Sequence, residues 1–140
     1  MPRNIKFDGK FYRDTNMEMR TLKLAYDFAV DGGTAGAITL KDEFGDAVYL
    51  PDNAVIVGAW VEAVTDNTSG GSATIALGYT GAATALLAAT DFDNAMWDVN
   101  KVTALALTKT TQKSSVLATI AVAALTAGKW NVMIHYYVGE

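Results

Sequence analysis

No cysteine occurs anywhere in the 140 residues. That excludes disulfides, thiolate nucleophiles and cysteine metal sites together, and it fits assembly in a reducing cytoplasm. Charge is scarce too, at 19% of residues against the usual figure of about a quarter. Such a shortage points to a surface partly covered by other chains. Long apolar runs are missing: 116–125 is among the longest, and it is too short to cross a bilayer. No membrane partner is expected. Residues 1–20 alternate charges with aromatics and hold no apolar core of a secretion signal.

Histidine occurs once, as His135, so every histidine-dependent scheme must use that residue. The glycine-rich stretches GGTAG (32–36) and TSGGS (68–72) match neither a phosphate loop nor a dinucleotide fingerprint. Six Lys/Arg against four acids in 1–30, and five against eleven in 31–140, leave no concentrated basic face. Nucleic acid is therefore not an expected partner. The inventory supports neither an enzyme nor a cofactor.

What the chain does have is alanine, valine and leucine, with 51% apolar residues overall and a length suited to one domain. Period-two alternation dominates. In NAVIVGAWVEAV (53–64), Val55, Val57, Ala59, Val61 and Ala63 share one expected face, opposite Ile56, Gly58, Trp60, Glu62 and Val64. Further strands are expected in ITLKDEFGDAVYL, with a turn near Glu43–Asp46, and in SATIALG, VTALALT and SVLATIAVAAL. DNTSGGS (66–72) and TAG (126–128) read as turns. A helical turn is expected near Asp91–Ala95. The fold class that follows is all-β: an antiparallel β-sandwich or jelly-roll-like barrel over 31–140. An extended N-terminal arm over 1–30 precedes it, with a weak helical signal near 15–28.

The last strand shows how the functional residues divide. In KWNVMIHYYV (129–138), Trp130, Val132, Ile134, Tyr136 and Val138 belong to a core face, and Asn131, Met133, His135 and Tyr137 to the other. No orienting acid or nucleophile lies nearby, so His135 reads as a strand-surface or interface residue, not a catalyst. The segment is expected to close against 115–125. Asp91, Asp93, Asn94 and Asp98 read as turn and helix caps more readily than as calcium ligands. Asp42, Glu43 and Asp46 read as a solvated hairpin tip. No metal site is expected. In the arm, Phe7, Phe11 and Tyr12, with Arg3, Lys6 and Arg13, are residue types that anchor protein–protein contacts.

The stretches LPDNAVIVGAWVEAVTDNTSGGSATIALG, LLAATDF and KSSVLATIAVAALTAGKWNVMIHYYV, within residues 48–138, resemble small virion proteins of tailed bacteriophages, the head decoration or cement proteins. The shared pattern is a proline turn into a long strand (Leu50-Pro51 to Val64), a Gly/Ser hairpin before ATIALG, and a TAGK turn before an aromatic last strand. The resemblance implies a virion protein on the outer capsid surface, assembled in the host cytoplasm. It would bind the major capsid protein, join neighbouring subunits and associate with itself as a homotrimer. The arm, 1–30, lies outside the stretches that carry the resemblance; on their residue types alone, the partner-binding residues expected are Arg3, Lys6, Phe7, Phe11, Tyr12 and Arg13 of the arm, with Met133, His135 and Tyr137 of the last strand. Two rival readings stay open. One is a phage tail, baseplate or receptor-binding β-domain. The other is a carbohydrate-binding module stacking sugars on Trp60, Trp97, Tyr136 or Tyr137.

Overall fold

The computed structural model describes residues 18–139. Alternating residues with β-branched enrichment produce strands throughout: β1 (Arg20–Asp27), β2 (Gly36–Thr39), β3 (Tyr49–Leu50), β4 (Ala54–Ser69), β5 (Thr74–Tyr79), β6 (Ala82–Asp91), β7 (Val102–Ala104), β8 (Ser114–Ala121) and β9 (Leu125–Val138). One short helix, α1 (Phe28–Asp31), follows β1, and a 3₁₀ turn spans Ala95–Trp97.

The strands form two antiparallel sheets. One has the order β1-β9-β4-β7 and the other β2-β8-β5-β6, with β3 also paired to β8. Taking β2 and β3 as one interrupted strand, this is the order of a jelly roll, in which the chain passes repeatedly between two sheets. Both edges are laced. Ala25 N donates to Lys41 O at 2.9 Å on one side. On the other, Leu105 N donates to Ala59 O and Ala106 N to Leu86 O, joining β4 to β6. The all-β sandwich expected from the alternation is the observed fold.

The core lies between the sheets. Leu24, Tyr26, Val61, Trp130, Val132 and Ile134 from the first sheet meet Ile75, Leu77, Val116, Ala118 and Ile120 from the second, all fully buried or nearly so. Tyr26 stacks on Trp130 at 4.8 Å between ring centroids, and Trp97 tilts against Trp130 at 5.2 Å.

Several local expectations are corrected. No helix forms in 20–27: these residues make β1, whose Leu24 and Tyr26 are core residues. The weak helical signal lost because the strand buries a period-two face against β9. Residues 126–128 are not a turn but part of β9, and 66–69 continue β4 instead of looping. The tight connection lies at 122–124. β9 does not close on 115–125: it pairs with β1 and β4, while β8 pairs with β2, β3 and β5. Alternation shows which face a strand buries, but both sheets bury such a face, so it does not choose the partner. Within β4 a register shift between Ile56 and Gly58 reverses the phase. Ala54 and Ile56 point inward before it, and Ala59, Val61 and Ala63 after it, so Val55 and Val57 do not share the face of Ala59.

Candidate functional site

The outer surface of the first sheet gathers the last-strand residues singled out above. On β9, Tyr137 lies opposite Val55 of β4, His135 opposite Gly58, Met133 opposite Trp60, and Asn131 opposite Glu62. On the other flank, Thr21 faces His135 and Lys23 faces Met133 across β1. Met133, His135 and Tyr137 are all half-buried. The structure therefore brings these three together, on the face the alternation assigned to them.

It also adds a residue that alternation alone did not place beside them. The Trp60 ring meets the His135 imidazole edge to face, with centroids 5.0 Å apart and planes at 79°. Gly58 makes this possible. A Cβ there would come within 2.9 Å of Trp60 Cη2, so the missing side chain leaves room for the indole to lie along the strand. A glycine inside a strand is a signal of close approach, and it was available in the sequence. The patch extends to exposed Val57 and, on β7, to exposed Val102 and Ala104. Its rim is polar. Asn131 Nδ2 donates to Glu62 Oε1 at 3.1 Å, and Lys23 Nζ approaches Glu43 Oε1 at 3.4 Å.

Such a surface has the make-up of a protein contact: aromatic, methionine and aliphatic side chains centrally, with paired polar groups around them. Its chemistry is otherwise sparse. Among the described residues no side chain hydrogen-bonds to His135, and no group of three or more His, Asp or Glu side chains could hold a metal ion. The two acidic segments act as structural turns. Asp42 Oδ1 accepts from Phe44 N and Asp46 N, and Asn94 Oδ1 caps the 3₁₀ turn by accepting from Met96 N. Trp97 and Tyr136 are buried in the core, which removes both from any sugar-stacking platform. The expected arm residues Arg3, Lys6, Phe7, Phe11, Tyr12 and Arg13 lie outside the described residues. Arg20, where the described chain enters the sheet, pairs with the inward-facing Tyr136, on the other side of the sheet from the patch.

No protein-family model and no curated protein matches this chain. Solved structures do. A chain of the cyanophage Pam1 capsid asymmetric unit is similar over 99% of this chain and 100% of that one, with a TM-score of 0.63 and 18% identity. A chain of the acidic stable capsid of Helicobacter pylori bacteriophage KHP30 matches over 87% and 89%, with a TM-score of 0.60 and 18% identity. A chain of the capsid of Ralstonia phage GP4 matches over 92% and 90%, with a TM-score of 0.59 and 19% identity. At these identities the likeness is one of fold, and this chain shares its jelly-roll architecture with chains of three phage capsid structures.

Proposed function

We propose that this chain is a bacteriophage capsid decoration, or cement, protein. It binds the outer capsid surface and staples neighbouring major capsid protein subunits, with no covalent chemistry of its own. The observation that supports this reading is the end-to-end likeness to a phage capsid chain, 99% of this chain against 100% of that one. The whole of that capsid chain is matched, so the likeness takes in its full build and not one module of it.

The mechanism is mechanical. The laced sandwich is a stiff block. Its Trp60–Met133–His135–Tyr137 face packs against a neighbour, and the N-terminal arm, through Phe7, Phe11 and Tyr12 with Arg3, Lys6 and Arg13, grips an adjacent capsid subunit. Association as a homotrimer multiplies each weak contact, raising overall binding by about 10²–10⁴ through effective concentration. Holding several capsomers at once opposes the outward pressure of packaged DNA.

A reconstruction of the particle tests this directly. Hundreds of copies on the outer shell are expected; a handful to a few dozen at the tail would give the tail or baseplate reading instead. Binding on a glycan array, abolished by Trp60→Ala, would favour the carbohydrate-binding reading.

A further inference from the structure

The connection between β8 and β9 holds a residue against the preference of its backbone. Val122 has φ 73°, and Ala123 N donates across it to Ala121 O at 2.8 Å. This is a three-residue γ-turn of the rare positive-φ kind, which is strained for any side chain and most for a β-branched one. At other positive-φ turns the chain uses glycine, as at Gly45 (83°) and Gly81 (84°), or asparagine, as at Asn53 and Asn100. Turn geometry therefore accounts for the positive φ but not for the valine. Core packing does not account for it either, since Val122 is 77% exposed.

The tip is held firmly in place. Ser69 Oγ donates to Ala124 O at 2.7 Å, and Ala123 Cβ lies so close to Gly71 that a Cβ there would come within 2.9 Å. Leu125 N donates to Gly33 O at 2.8 Å, bringing α1 alongside, with Val30 78% exposed. Charge is absent from the two strand connections that meet here. No Asp, Glu, Lys or Arg occurs in 114–128 or in 67–90, although residues 18–140 carry thirteen acids against seven Lys/Arg. An exposed aliphatic side chain, on a braced tip whose two connections carry no charge, complements a surface that is itself apolar and uncharged.

We propose that Val122 is a contact residue, and that the β8–β9 tip inserts into an uncharged, apolar depression on a neighbouring protein. That neighbour is the capsid shell, so the proposal rests on the decoration reading above. Two substitutions separate strain from contact. Val122→Gly relieves the backbone and removes the side chain; Val122→Thr keeps the shape and the strain but adds a hydroxyl. Wild type and both variants are melted, then titrated onto purified shells stripped of this protein, with co-sedimentation as readout. The expected result is a Val122→Gly melting temperature equal to or above wild type, with both variants binding shells at least tenfold more weakly. A lower melting temperature for Val122→Gly would show that the valine serves the fold, and shell binding by either variant at wild-type strength would show that it is no contact; each overturns the proposal while leaving the decoration reading standing. Failure of the wild-type protein itself to bind stripped shells overturns both.

Discussion

Single residues at the core carry consequences that can be measured. Tyr26 is fully buried, and its hydroxyl donates to Gly32 O at 2.6 Å. Burial, helped by the nearby carboxylates of Asp31 and Asp27, pushes its pKa from 10.0 up to about 12. The folded state keeps the phenol proton in a range where the unfolded chain has lost it. This contribution is therefore complete below pH 10 and is lost as pH rises from 10 towards 12, at up to about 1.4 kcal/mol per pH unit. Urea unfolding of Tyr26→Phe should show a stability loss of about 1 kcal/mol at pH 7, from the missing hydrogen bond. Across pH 10–12 it should show a shallower decline than wild type; parallel declines would assign the alkaline sensitivity to other groups. Gly128 is a second such residue. It holds φ 146°, and a Cβ there would collide with Asn67 Oδ1, which accepts from Trp130 Nε1 at 3.2 Å. Gly128→Ala should cost about 2–3 kcal/mol by thermal melting and should perturb the near-ultraviolet signal of Trp130. His135 was legible in the sequence as an outward-facing residue, because period two is a local property. Its ring contact with Trp60 was not, because that pair is 75 positions apart and meets only through the β4–β9 register.

At the scale of elements, the expected strands from 53, 72, 102, 115 and 129 all appear, with altered ends. One strand is cut short: of VTALALT only Val102–Ala104 is a strand. The rest still follows β4 through separate hydrogen bonds: Leu105 N to Ala59 O, Ile56 N to Thr108 O, and Thr110 N to Ala54 O. Thr110 secures the end of this path. Its buried Oγ1 accepts from Ala54 N at 2.9 Å and donates to Pro51 O at 2.7 Å. Thr110→Val keeps the volume but orphans a buried amide and a carbonyl. It should cost about 2 kcal/mol and raise hydrogen exchange at Ala54 above that of the β9 amides, whose ladders are untouched. Uniform exchange across both sites would mean that the sheet edge is not held there. The β4 bulge shows why element faces were harder to read than element positions. One extra residue near Val57 inverts the alternation, and its one mark in the sequence is Gly58 beside it, since an isolated glycine within a strand signals a bulge as readily as a close approach.

For the whole molecule, the tryptophans give a probe of docking. Trp97 and Trp130 are 1% and 0% exposed, while Trp60 lies half-buried on the outer sheet face. An emission change on adding stripped shells should therefore come from Trp60 and vanish in Trp60→Phe; its persistence would place the contact elsewhere. Deleting residues 1–14 should leave the melting temperature within a few degrees of wild type while lowering capsid occupancy, and normal occupancy would remove the arm from the mechanism. The sequence by itself determined that this is an all-β chain, that it lacks thiol chemistry, and which face of its last strand turns outward. Those properties depend on composition and on neighbours two residues apart. Only the tertiary structure decided that β8 and β9 belong to opposite sheets, that the strand order is that of a jelly roll, and that Trp60 joins His135 on one surface. Strand pairing is chosen by the combined packing of two apolar faces, and many pairings satisfy the same alternation until the whole core is assembled.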